Sequence, residues 1–147
     1  MLKPFAYFTI GLTLAFPAYA ETVKVSDDVA ALVVPVLSAR SKSAAHDTEK
    51  NAEALDRALS PILEKRTAQT TEALAVLLGY YIGEHPGEDV SCELVARGKE
   101  AEAPLEKYAQ AKIILPGSKR FKPRSVQSEY PIVLRRIKAH EQCVREP

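Results

Sequence analysis

Apolar residues recur at three- and four-residue spacing through TEKNAEALDRALSPILEKRTAQTTEALAVLLGYYIG, the stretch that opens at Thr48. Ala52, Leu55, Leu59, Ile62 and Leu63 fall on one side of a helix, with Lys50, Glu53, Asp56 and Arg57 between them. This spacing predicts an amphipathic helix with Asp47 as its cap. Ser60-Pro61 predicts a corner, because Ser can cap a new helix and Pro, lacking an N–H, suits a first turn better than an interior. The second helix is expected from Pro61 to about Ile82. Over Leu74 to Tyr81 it becomes apolar on nearly all sides, the pattern of a central buried helix. Gly79 within it costs about 1 kcal/mol against Ala and is read as room for a close helix crossing.

The flanks are less regular. Glu21 to Asp28 is polar and patternless and is read as a mobile amino terminus. VAALVVPVL, Val29 to Leu37, has a length that suits a helix or a strand; Ala30, Ala31 and Leu32 favour a helix started by Ser26 or Asp27. RSKSAA, Arg40 to Ala45, reads as a linker. Beyond the central helix, Gly83 to Asp89 reads as a turn, with Asp89 capping a short helix over Val90 to Arg97 that ends at Gly98. Another helix is expected over Glu102 to Ala111, with Pro104 in its first turn and Leu105 and Tyr108 inward. Ile113 to Leu115 is a short apolar anchor and Pro116-Gly117 a turn. Ser128 then caps a last helix that begins with Glu129, Tyr130 and Pro131 and carries Ile132, Val133, Ile137, His140 and Cys143. The fold class that follows is all-α, a small bundle of four to six helices around one core.

The first 20 residues change the picture. MLKPFAYFTIGLTLAFPAYA has one Lys3, an apolar stretch over Phe5 to Phe16, a breaking Pro17, and small residues at Ala18 and Ala20. That is the plan of a secretory signal peptide, so cleavage is expected near Ala20, with a single mature domain over 21–147 that is periplasmic or secreted. The stretch is shorter than the roughly 20 residues of a bilayer span, so an integral membrane protein is not expected, and Glu21 offers no Cys for a lipid. An uncleaved amphipathic anchor is the alternative reading. The chain carries 20 Lys plus Arg against 19 Asp plus Glu, and loss of Lys3 levels the two signs, so no nucleic-acid partner is expected from charge. Loss of the leader also leaves Phe121 as the last Phe, in a chain without Trp, so the core must be built from Leu, Ile, Val, Ala and Tyr.

So small a core gains from a staple. Cys92 and Cys143, both beyond the leader, are expected to form a disulfide in an oxidising compartment. The loop of about 50 residues that it closes corresponds to about 4 kcal/mol on the chain-entropy estimate. The alternative roles fit less well: there is no C-x-x-C redox pair, and no His or Cys neighbours stand at metal-ligand spacing.

Three His residues remain as candidate chemistry. His46 lies in a polar stretch before a helix and His140 in the last helix, both positions for solvated or packing side chains. His85 is flanked by Glu84, Glu88 and Asp89, a set able to bind a divalent cation, although Pro86-Gly87 and the need to cap the next helix account for the same residues. No catalytic, metal or cofactor site is therefore assigned. H-E-x-x-H, G-x-S-x-G, a phosphate-binding Gly-rich loop and C-x-x-C-H are all missing from the sequence.

The candidate contact surface is basic. Lys119, Arg120, Lys122 and Arg124 flank Phe121 just after a turn, and Arg135, Arg136 and Lys138 follow on the last helix. Phe and Arg are residues that anchor interfaces, and acidic ground over Glu84 to Glu93 and Glu100 to Glu106 makes the protein dipolar. The competing reading has Phe121 packed inward and the charges keeping the loop wet. Three function classes follow. The first is a non-catalytic periplasmic protein-binding module, such as an inhibitor, an immunity-like protein or an envelope accessory protein, whose partner is an envelope or periplasmic protein. The second is a small envelope hydrolase or metal-dependent enzyme built on His85. The third is a structural protein that binds an anionic wall polymer or lipid.

Overall fold

In a computed structural model of the protein, residues 21–80, 85–118, 120–121 and 129–143 are described, the side chains of 85–88 excepted. Ser26 starts the first helix, α1 (Asp27–Ala45), by accepting the Val29 N–H at 3.4 Å, and Asp27 and Asp28 complement its amino-terminal dipole. Val29, Ala30, Val33, Val36 and Leu37 are buried at helical spacing, which resolves the helix-or-strand choice. The expected linker over Arg40 to Ala45 is instead the exposed end of α1. Polar composition there marks a wet surface, and Arg40 secures the helix by donating from Nη1 to the Tyr80 carbonyl at 2.7 Å.

A tight turn leads to α2 (Glu49–Glu64), capped by Thr48, whose hydroxyl accepts the Asn51 N–H at 3.3 Å; Asp47 stands one position too early. Asn51 returns the tie by donating to the His46 carbonyl at 2.8 Å. The corner expected at Ser60-Pro61 does not form, and α2 runs through Pro61 to Glu64. Leu59 and Ile62 are buried on either side of the Pro, and Arg97 takes up the last carbonyls of the helix, so core packing and a capped end keep α2 continuous through a residue that lacks an N–H. The true corner is Lys65 to Thr67. There Thr67 and Thr70 form a reciprocal capping box that opens α3 (Ala68–Leu78).

Helix α3 is central: every residue from Ala73 to Leu78 is at most 1% exposed, and the helix packs against α1, α2 and the next two helices. It ends at Gly79. The close approach at this glycine comes from side chains, since an added Cβ would stand 2.7 Å from Tyr130 Oη and 3.1 Å from Ile113 Cδ1.

Helix α4 (His85–Arg97) starts ahead of the expected cap, leaving Asp89 inside the helix; Gly83 and Glu84 lie outside the described residues. Gly98, at φ 59°, turns the chain directly into α5 (Lys99–Ala109), which begins before Glu102 and so holds Pro104 in its interior. Leu105 and Tyr108 are buried as expected. The residues read as a patternless amino terminus include a strand, β1 (Thr22–Lys24), paired in parallel with β2 (Lys112–Ile114). Thr22 stands opposite Lys112 and Lys24 opposite Ile114, while Ile113 and Leu115 insert into the core.

The last helix, α6 (Glu129–Lys138), lies against α4 and α5 through Tyr130, Val133 and Ile137. Its expected cap, Ser128, lies outside the described residues. Two crossed bonds end it, His140 N–H to Ile137 carbonyl at 3.0 Å and Glu141 N–H to Arg136 carbonyl at 3.1 Å. This is a Schellman turn, with His140 at φ 52° where glycine is usual. His140 and Cys143 therefore lie beyond the helix rather than on it, because the turn folds the chain back and brings the Cys143 Cα within 5.3 Å of that of Cys92. The outcome is a small all-α bundle, with six helices among the described residues, stapled by the Cys92–Cys143 disulfide. Among the described residues no helix is long and apolar enough to cross a membrane.

Candidate functional site

The buried polar groups were the natural place to look for chemistry, and most serve the fold. Arg97, with a fully buried side chain, donates from Nε to Glu93 Oε1 at 3.1 Å and from Nη1 to the Thr70 and Thr71 hydroxyls at 2.8 and 2.9 Å. Its Nη2 reaches the carbonyls of Ile62 at 2.7 Å and Lys65 at 3.0 Å. One guanidinium thus ties α4 to the end of α2 and the start of α3. Glu93 also faces Arg66 at 3.5 Å, so it is a buried partner and not part of an exposed acidic surface.

A second knot joins α3 to α5. Tyr108 Oη and Lys107 Nζ donate to the same Glu72 oxygen at 2.6 and 2.7 Å. Burial alone raises the Glu72 pKa, but the bonds from Lys107 and Tyr108 outweigh it and hold the carboxyl below its usual range. Burial, reinforced by the Glu72 carboxylate, pushes the Tyr108 phenol well above its ordinary value. Tyr130 donates to the Ala75 carbonyl at 2.8 Å, and its pKa is likewise raised by burial. The Tyr80 phenol, its pKa raised by burial, is a buried hydroxyl with no hydrogen-bond partner among the described residues.

The outer surface of α6 is different. At 100° per residue, Pro131, Ile132, Arg135 and Lys138 fall within roughly 120° of arc, opposite the buried Tyr130, Val133 and Ile137. All four are exposed, Ile132 to 40%, and among the described residues neither Arg135 nor Lys138 has an ion-pair partner. Arg136, at the margin of this face, donates to Glu141 at 3.0 Å. A shallow groove on α2, lined by Glu53, Asp56 and Glu64 with Arg57, Ser60 and Pro61, supplies acidic ground.

Of the basic cluster expected around Phe121, Arg120 is exposed, and Phe121 is half-buried and packs against the core. Lys119, Lys122 and Arg124 lie outside the described residues, as does the side chain of His85 with those of Glu84 and Glu88. His46 is exposed at the end of α1 and His140 sits in the turn after α6, so the two do not meet. Sequence reasoning missed Arg97. A signal was present, because Glu93 and Arg97 stand four apart in register with the apolar face formed by Val90 and Leu94.

Fold and site together define a disulfide-stapled helical bundle with a basic, partly apolar helix face turned to solvent. No protein-family model, curated protein or solved structure matches this chain.

Proposed function

We propose that the protein is an exported, non-catalytic binding module, an inhibitor, immunity-like or envelope accessory protein, whose contact surface includes the outer face of α6. The observation that carries this reading is the exposure of Ile132 beside Arg135, with Lys138 next on the same face, on a helix whose opposite side is fully used by the core. An apolar side chain flanked by cations suits an acidic protein surface, where the cations steer encounter and the apolar group is desolvated on contact. The interior supports the same reading, since Arg97, Glu72, Tyr108 and Tyr130 are each committed to holding helices together. Export rests on the leader plan of Met1 to Ala20, and a periplasmic location is part of the proposal.

The test uses the oxidised Glu21 to Pro147 chain as bait in an envelope extract, beside the variants R135E/K138E and I132S. One protein captured by the wild type and lost from both variants, with melting temperatures unchanged, supports the module. Capture indifferent to all three substitutions removes α6 from the surface. Salt-dependent pelleting with wall polymer or anionic vesicles, in place of protein capture, overturns the protein-partner reading in favour of an envelope polymer or lipid. F121A is the companion variant: a lowered melting temperature assigns Phe121 to the core, whereas lost capture at constant stability assigns it to the interface.

A further inference from the structure

Both cysteines of the staple are only partly buried, so the bond is open to small molecules in a way that a core disulfide is not. The two sulfurs differ in their surroundings. Arg136 points Nη2 at Cys143 Sγ at 3.5 Å, and it is aimed there by its Nε bond to Glu141 Oε2 at 3.0 Å. The Schellman turn fixes both residues, because the Glu141 N–H is bonded to the Arg136 carbonyl. On the other side, Cys92 lies on α4 one turn after the exposed Asp89, a negative neighbour on the same helical face.

We infer that the Cys92–Cys143 bond is a thiol–disulfide exchange site that opens in one direction, a small thiol becoming attached to Cys92 while Cys143 departs. The incoming thiolate attacks Cys92 Sγ, and a new sulfur–sulfur bond forms there as the Cys92–Cys143 bond breaks. The electron pair of the broken bond leaves on Cys143 as a thiolate, which the Arg136 guanidinium stabilises. The products are a mixed disulfide at Cys92 and a free Cys143. A second thiolate attacking the outer sulfur of that mixed disulfide completes a two-electron reduction. Return attack by Cys143 on Cys92 restores the staple and expels the small thiol. Arg136 acts as a positioning residue that sets which sulfur leaves, and Glu141 opposes it by sharing its charge.

The experiment exposes the oxidised Glu21 to Pro147 chain to limiting glutathione at neutral pH without denaturant, quenches with acid, and maps the adduct by peptide mass. Wild type is expected to carry glutathione on Cys92, with Cys143 free. R136Q is expected to open about threefold more slowly and to divide the adduct between the two cysteines, since a poorer leaving thiolate departs more slowly. E141Q, which leaves the Arg136 charge undivided, is expected to open faster than wild type with the adduct still on Cys92. Far-UV circular dichroism confirms that each variant is folded, and if R136Q is not, E141Q and wild type decide. Adduct on Cys143, equal adducts in wild type, no opening without denaturant, or an E141Q rate at or below that of wild type overturns the inference.

Discussion

Replacing Arg97 by Met removes a buried donor set while roughly conserving side-chain length, which makes it the most informative single change in the molecule. Six acceptors receive bonds from this guanidinium: Glu93 Oε1, the Thr70 and Thr71 hydroxyls, and the Ile62, Leu63 and Lys65 carbonyls. Thr70 also donates to the Lys65 carbonyl, so that acceptor keeps a partner. The remaining loss is that of breaking a buried ion pair by removing one member, about 3–5 kcal/mol. For a chain of this length each kcal/mol moves the melting temperature by roughly 3–5 °C, so R97M is expected to melt about 10–20 °C below wild type. Thermal melts at 222 nm, with urea titrations to check that the slope is unchanged, measure this directly. Arg97→Lys keeps the charge but offers three donors in place of five and should fall between the two. The double variant R97M/E93L also removes the carboxylate that has lost Arg97 and should recover part of the loss while staying below wild type, because the Ile62 and Leu63 carbonyls at the end of α2 lose their cap. An R97M protein melting within about 3 °C of wild type would refute the assignment of this arginine as the tie between α2, α3 and α4.

The remaining expectations concern pH and backbone. The folded phenols of Tyr80, Tyr108 and Tyr130 hold their protons above the unfolded value near 10, so their contribution is complete below about pH 10 and is lost as the pH rises past it. Tyr130, the most deeply buried, should add at most about 1.4 kcal/mol of destabilisation per pH unit and the other two less, so phenolate absorbance should rise together with unfolding, and Y130F should flatten the alkaline limb. Glu72 has the opposite sign: its folded pKa lies below the unfolded value, so its contribution is complete above about pH 4.5 and fades as acid carries the pH down through the folded value. E72Q should therefore cost stability at pH 7 and show less further loss in acid, read from urea midpoints across that range. H140G should raise stability by about 1 kcal/mol by relieving the positive φ of the Schellman turn. G79A should lower it by about 1–3 kcal/mol, since the new methyl meets a Tyr130 hydroxyl fixed by its bond to Ala75.

Local pattern carried a large part of this architecture. The start of α1 at Ser26, one of the two candidate caps, the buried run in α3, the inward Leu105 and Tyr108, the insertion of Ile113 and Leu115 and the pairing of the chain's two cysteines, Cys92 and Cys143, were legible from spacing and composition. Two of the departures depend on partners distant in the chain. Pro61 reads locally as a corner, yet α2 runs through it with Leu59 and Ile62 buried in the core and Arg97, arriving from α4, on the carbonyls that follow it. Thr22 to Lys24 reads as patternless because a three-residue strand has no periodicity of its own and is defined by its partner at Lys112 to Ile114. The contact surface was legible in residue type but not in place. Basic residues near the end of the chain were visible, whereas the exposure of Ile132 follows from which side of α6 the core consumes.

The parallel strand pair has a topological consequence. It closes a loop from Thr22 to Lys112, and the disulfide closes another from Cys92 to Cys143. The two loops interleave, each beginning or ending inside the other, so every described helix lies within at least one closure, α5 lies wholly within both and α4 reaches into both. Unzipping from the amino-terminal side must break the strand pairing before α1 is free, and unzipping from the other side meets a covalent bond before it reaches α6. Loss of structure is thereby steered away from the stepwise fraying by which helical bundles ordinarily begin to come apart. The interleaving asks the chain to let go everywhere at once.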